Sequence, residues 1–154
     1  MKTALITLSA EGARLLAPLT GRLPEARLYV HESIRGGSFG NGLVRHDSAP
    51  HGSGRSDSEP NPLIAEHFTR IADLTASLFP VCRGLVYAAP CGVVVRAIAP
   101  LVKSKYTDPA VVVLDVGGRW AVSLLSGHEG GANDLAIRVA NLTGAEPVVT
   151  TTTE

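Results

Sequence analysis

The stretch Ala110-Val111-Val112-Val113-Leu114-Asp115-Val116-Gly117-Gly118-Arg119-Trp120-Ala121-Val122-Ser123-Leu124-Leu125-Ser126-Gly127-His128-Glu129-Gly130-Gly131-Ala132-Asn133-Asp134 decides the fold. Ala110 to Asp115 is a valine-rich run of the kind a strand buried on both faces requires. Two apolar runs around Gly117-Gly118 read as a hairpin, which makes that pair antiparallel. Trp120 to Leu125 then hands over, through a glycine loop, to a helical pattern from Asp134 to Leu142. Leu135, Val139 and Leu142 mark its apolar face, and Gly144 suits the C-cap. A strand-to-helix junction of this sort leaves backbone N–H groups unpaired. With the positive end of the helix dipole they form a site for anions or carboxylates. The competing reading is a helix start that uses glycine for tight packing, with Asn133 or Ser126 as its cap.

Outward from this stretch, strand and helix patterns alternate. Ala4 to Leu8 reads as a buried first strand, and Glu11 to Leu19 as a helix ended by Pro18 and Gly21. Arg27 to His31 reads as a second strand. Residues 36–60 are rich in glycine and serine, without apolar periodicity, and read as a mobile surface loop. Asn61 and Pro62 suit the start of a helix. Ile64, Phe68, Ile71, Leu74 and Leu78 then recur at the helical period, which predicts an amphipathic helix over Leu63 to Phe79. Gly84 to Ala89 is an apolar strand, Pro90-Cys91-Gly92 a turn, and Val93 to Lys103 a helix. Pro147 to Thr150 reads as a last short strand. The alternation predicts a single α/β domain over residues 1–154: three layers, Rossmann-like, with a mostly parallel sheet and one antiparallel hairpin.

The bulk numbers agree with a globular domain. The chain has 154 residues, 45% hydrophobic and 18% charged, with no formal net charge. That excludes disorder and a broad electrostatic footprint for nucleic acid. No stretch approaches the ~20 apolar residues of a membrane span. Cys82 and Cys91 form no CxxC pair and lie in apolar segments, as in a reduced cytosolic protein. A soluble, cytoplasmic protein is expected, without nucleic acid or membrane as partner.

In open α/β sheets ligands sit outside the carboxyl ends of the strands. On that rule Gly92 with Arg96, Lys105 to Asp108, Ser126 to Asp134, and Thr150 to Thr153 are expected to converge. The glycine loop has neither Gly-x-Gly-x-x-Gly spacing nor a P-loop, and Ser126 is not in a nucleophile elbow. No histidine spacing suggests a zinc site. His31, His46, His51 and His67 read as solvated or packed side chains. His128 differs, since its neighbours leave it little core to fill, and an imidazole there suits acid–base work near neutral pH. Arg96, in an apolar segment, either snorkels to solvent or fixes a carboxylate through its planar fork. For Lys105 and Asp108 the alternative is a plain solvated loop, and for Thr150 and Thr151 a polar strand end.

Several of these residues, in order, resemble a known family. Gly92-Val93-Val94-Val95-Arg96-Ala97-Ile98-Ala99-Pro100-Leu101, Lys105-x-x-Asp108-Pro109-Ala110, Leu124-Leu125-Ser126-Gly127-His128-x-Gly130-Gly131-Ala132-Asn133 and Pro147-Val148-Val149-Thr150-Thr151 are similar to the N-terminal domain of CbiG, the cobalt-precorrin-5A hydrolases of anaerobic cobalamin biosynthesis. The match runs from about Gly84 to Glu154. The resemblance implies opening of a δ-lactone by water with release of acetaldehyde. It implies no cofactor or metal held by the protein, the cobalt being part of the substrate. Its partner would be the cobalt-corrinoid intermediate. Since the family's usual middle and C-terminal regions are absent, a separate C-terminal CbiG-like chain or other pathway enzymes are further expected partners. On this resemblance Gly92, Arg96, Lys105, Asp108, Gly127, Gly130, Gly131, Asn133, Thr150 and Thr151 would bind substrate, and His128 with Ser126 would carry the chemistry. A non-catalytic corrinoid-binding module is the alternative.

Overall fold

The computed structural model describes residues 2–34 and 65–151. Seven strands form one sheet: β1 (Thr3–Thr7), β2 (Ala26–His31), β3 (Ala65–Phe68), β4 (Gly84–Ala88), β5 (Ala110–Leu114), β6 (Trp120–Leu125) and β7 (Glu146–Val148). Their spatial order is β3-β2-β1-β4-β5-β6-β7. All pairs are parallel except β5 with β6. β1, β4 and β5 are buried along their whole length, which is why they read as unbroken apolar runs rather than alternating ones.

Helices α1 (Ala10–Leu16), α2 (Ile71–Leu78), α3 (Cys91–Ile98) and α4 (Ala132–Thr143) cover both faces. Alternate strand residues sort between them. Leu5, Val86, Val112 and Leu114 pack with Ala13 and Leu16 of α1 and Leu135 and Val139 of α4. Ile6, Leu85, Tyr87, Val111 and Val113 pack with Leu78 of α2 and Val94 and Ile98 of α3. Parallel crossovers are right-handed, so a helix changes face when its strands reverse direction. That accounts for α4: β6 and β7 run opposite to β4 and β5, and their connecting helix lands on the far side from α3. On the α3 side, β6 and β7 carry no helix among the described residues. Trp120, Val122 and Val148 there line an apolar hollow of about 350 Å³ with Ala89, Pro90, Cys91, Val113, Asp115 and Val116.

The antiparallel hairpin is organised by Asp115. Its Oδ2 accepts from the backbone N–H of Gly117 at 3.1 Å, and its Oδ1 from Arg119 at 2.8 Å and Trp120 at 2.7 Å. Gly118 takes a left-handed φ of 69° in that turn. Within the hydrophobic layer under α2, Tyr87 Oη and Thr75 Oγ1 are 3.0 Å apart, which satisfies two buried hydroxyls.

The largest departure from the sequence reading lies at residues 65–79. The expected helix over Leu63 to Phe79 is instead edge strand β3 followed, after Thr69 and Arg70, by α2. Phe68 and Ile71 fall at helical spacing across an element boundary, and a strand of four residues is too short to display its own period. His67 is therefore an exposed strand residue rather than a helical one. Asn61, Pro62 and the segment 36–60 lie outside the described residues. Smaller shifts occur at ends. The first helix closes through a 3-10 turn, Ala17–Leu19, that holds Pro18. α3 starts at Cys91 and stops at Ile98, short of Lys103, and α4 starts at Ala132 rather than Asp134. β7 is Glu146–Val148 rather than Pro147 to Thr150. Gly144 is the left-handed C-cap of α4, as its position suggested, with φ 79°.

Candidate functional site

The register fixes two edges of the sheet. Thr3, Gly84, Ala110 and Leu125 lie along one, and Thr7, Ala88, Leu114 and Ala121 along the other. Because β6 is reversed, its carboxyl end joins the amino ends of β4 and β5. The loop Ser126 to Gly131 therefore meets Lys105 and Asp108, which precede β5, and Thr150 and Thr151, which follow β7. Lys105, Ser126, Gly127, His128, Glu129, Thr150 and Thr151 line an open cavity of about 570 Å³ there.

Gly92 and Arg96 do not join them. They follow β4, at the opposite edge, so the expected convergence of all four clusters does not occur. Arg96 is exposed, and its Nη1 donates to the Gly92 carbonyl one turn back at 3.3 Å. Its guanidinium is thus open to solvent at the edge away from the cavity. The physical reason for the split is the hairpin: a carboxyl-end rule applied to an all-parallel sheet places every loop on one side, and one reversed strand breaks it.

A bulge shapes the approach to the cavity. Val112 pairs with Ser123 but Val111 pairs with Leu125, which leaves Leu124 as the additional residue of β6. Leu124 and Leu125 both pack toward the α2–α3 layer, as the two residues of a bulge do. Ser126 follows with a left-handed φ of 59°. It is 8% exposed, and its Oγ is buried without a hydrogen-bond partner among the described residues. Such a backbone state in a non-glycine residue costs of order 1–3 kcal/mol and is held only by well-packed surroundings.

Gly130 supplies that packing. A Cβ there would overlap the Ser126 side chain and stand 2.9 Å from the Ser126 carbonyl oxygen and 3.2 Å from that of Asp108. Gly131, with φ 83°, is the N-cap of α4 and offers no side-chain cap. Neither Asn133 nor Ser126 caps the helix. The first helical amides donate to the preceding loop instead: Ala132 N–H to Ser126 O at 3.1 Å and Asn133 N–H to Gly127 O at 2.9 Å. Those two amides of the expected anion cradle are thus already used. Asn133 directs its side chain sideways, its Oδ1 accepting from Ser123 Oγ at 2.8 Å and its Nδ2 donating to Thr151 Oγ1 at 2.7 Å. Ser123 was not singled out from the sequence; its signal is a lone hydroxyl in the apolar run Trp120 to Leu125.

Asp108 is buried, and its carboxylate serves the protein. Oδ2 accepts from the backbone N–H of Lys103 at 2.9 Å and of Ser104 at 3.0 Å. It shapes the loop that presents Lys105, whose Nζ lies 4.9 Å over the Tyr106 ring. Loss of two part-buried hydrogen bonds to a charged acceptor costs about 2–3 kcal/mol, at the low end of what two such bonds contribute. Asp108→Ala is expected to lower unfolding stability by that amount in urea titration, and an unchanged midpoint would contradict this role. The His128 ring makes no hydrogen bond among the described residues and lies on the cavity wall.

Residues 73–154 match the family described as Cobalamin synthesis G N-terminal. Over 83 residues the chain is 46% identical to the cobalt-precorrin-5A hydrolase of Salmonella typhimurium, a stretch covering 54% of this chain and 24% of that protein. Over 81 residues it is 51% identical to the cobalt-precorrin-5A hydrolase of Priestia megaterium, covering 53% and 22%. The chain thus spans about a quarter of the length of these curated relatives. A solved cobalamin biosynthesis protein G homolog from Sulfolobus solfataricus shares the fold, with a TM-score of 0.61 and 17% identity over 97% of this chain and 36% of that one. Every cavity residue lies inside the matched stretch, which takes in more than half of the sequence, and the chain belongs to the Cobalamin synthesis G N-terminal family.

Proposed function

We propose that this domain contributes the corrinoid-binding cavity of a cobalt-precorrin-5A hydrolase, at which the substrate lactone is opened and acetaldehyde leaves. The observation that carries the reading is the cavity on the β6–β7 edge, built wholly from residues inside the family match. Its wall carries an ammonium at Lys105, hydroxyls at Thr150 and Thr151, and an imidazole at His128. A ring bearing many carboxylates suits such donors. His128 is the acid/base candidate, since a neutral imidazole takes a proton from water and its conjugate acid returns one to a leaving oxygen. Glu129 lies on the same wall, so the cavity carries both signs of charge rather than a purely cationic lining.

One observation favours a narrower role. No neighbour among the described residues orients the His128 ring, whereas an acid/base imidazole is normally held by a second group. The domain would then grip the corrinoid while the rest of a longer protein, or a separate chain, completes the catalytic set.

Incubating the purified protein with cobalt-precorrin-5A, and following acetaldehyde and retained pigment separately, tests both. Acetaldehyde release that falls at least about tenfold in His128→Ala supports the catalytic reading. Pigment retained without acetaldehyde supports the gripping role. No pigment and no acetaldehyde would remove the corrinoid assignment from this cavity.

A further inference from the structure

Asn133 ties three segments together: Ser123 on β6, its own helix α4, and Thr151 beyond β7. The direction of these bonds has a consequence for the cavity. A hydroxyl has one proton and two lone pairs. Ser123 donates to Asn133 Oδ1, and Asn133 Nδ2–H donates to Thr151 Oγ1. Thr151 has therefore accepted once and must place its own proton elsewhere. No acceptor among the described residues takes it, and Thr151 is exposed on the cavity wall. The proton is offered to whatever fills the cavity. Independently, Ser126 on the same wall is more than nine-tenths buried, and its Oγ, just beneath the surface, lacks a partner among the described residues. Buried hydroxyls are seldom left unpaired.

We propose that Thr151 is a directed hydrogen-bond donor to a carboxylate oxygen of the ligand, and that Ser123 and Asn133 are positioning residues that fix its direction. The ligand class is a small carboxylate or a carboxylate side chain on a larger ring. The ring being a corrinoid rests on the function proposed above; the direction of the relay does not. With Lys105 and Glu129 of opposite charge on the wall, selectivity comes from hydrogen-bond direction rather than from net charge.

The probe is propionate, titrated into isotope-labelled protein at constant ionic strength against sodium chloride, with amide and side-chain amide shifts followed by NMR. Saturable shifts are expected at Thr151, Lys105 and the Asn133 side-chain amide. Thr151→Val removes the donor and is expected to weaken binding at least about tenfold, while Thr151→Ser restores it to within about threefold. Asn133→Asp keeps the acceptor for Ser123 but replaces the N–H donor with an acceptor, so the Thr151 proton turns inward. It is expected to lose at least as much as Thr151→Val, since the new carboxylate also repels propionate, and the double variant to lose less than the sum of the two. A purely structural role for Asn133 would give additive losses.

Wild-type binding in Thr151→Val, or the absence of saturable propionate shifts in the wild-type protein, overturns the proposal. Propionate shifts at Thr151 without retention of cobalt-precorrin-5A would remove the corrinoid reading and leave the subsite standing. Cobalt-precorrin-5A retained equally by wild type and Thr151→Val would do the reverse.

Discussion

Gly130→Ala is expected to lower the stability of the domain by about 3 kcal/mol and to abolish ligand binding at the cavity. Overpacking costs 1–3 kcal/mol where neighbours can yield, and more where they cannot. Here they cannot readily yield. The added methyl meets the Ser126 side chain, the Ser126 carbonyl at 2.9 Å and the Asp108 carbonyl at 3.2 Å. Ser126 is already in a left-handed conformation, its carbonyl holds the Ala132 amide, and Asp108 is fixed by two backbone N–H groups. Relief therefore requires the loop to move, and the loop is the cavity wall. Gly21→Ala is the control, since a Cβ there meets nothing within 4 Å and the backbone needs no left-handed φ. It is expected to be neutral or to stabilise by about 0.4–1 kcal/mol. Urea unfolding of the two variants checks the contrast, and similar midpoints for both would refute the account of the loop.

Alkaline pH is expected to destabilise the fold by on the order of 2–3 kcal/mol through Tyr87 alone. Burial pushes its phenol up from an ordinary 10.0 to about 12, with the Thr75 hydrogen bond pulling weakly the other way. Below pH 10 the phenol is protonated in both the folded and unfolded chains, and its contribution is constant. Between pH 10 and 12 the unfolded chain releases the proton while the folded chain keeps it, so unfolding is favoured as pH rises. Above 12 both have lost it and the effect saturates. Two units at about 1.4 kcal/mol each give the stated size. Burial also raises Tyr29 and Cys82, so the wild-type profile contains further alkaline terms. The decisive quantity is the difference between wild type and Tyr87→Phe, which should appear only above pH 10. Parallel stability curves from pH 9 to 12 would exclude Tyr87 as the titrating group. At neutral pH the same variant leaves the Thr75 hydroxyl buried without its partner, at a cost of about 1–3 kcal/mol.

The layers and the hairpin were legible in the sequence because their signals are local and strong. Val111 to Leu114 is too short and too branched for a helix, and Gly117-Gly118 allows only a turn. β3 was not legible. Its four residues lie at the sheet edge, and Phe68 happens to fall in helical register with Ile71. The site was half legible. The glycine loop, Lys105, Thr150 and Thr151 do come together, but as a consequence of strand reversal, which no local pattern reports. Gly92 and Arg96 belong to the other edge for the same reason. Asp108 reads in the sequence as part of a solvated loop and Asn133 as part of the glycine loop, and neither pattern reports which partner the side chain serves. Asp108 turns to Lys103 and Ser104, and Asn133 to Ser123 and Thr151. The role of Ser126 depends on its φ and on Gly130, neither of which composition reveals.

The cavity is drawn from one contiguous piece of chain, residues 105–151, whereas the centre of the sheet is not. Pairing β1 with β4 brings Thr3 beside Gly84, and closing a loop of that length is a slow event that must precede any reward from contact. The block β5–β6–α4–β7 needs only near neighbours: a hairpin, a bulge and one crossover. In kinetic terms the binding edge is a low-contact-order unit attached to a high-contact-order sheet.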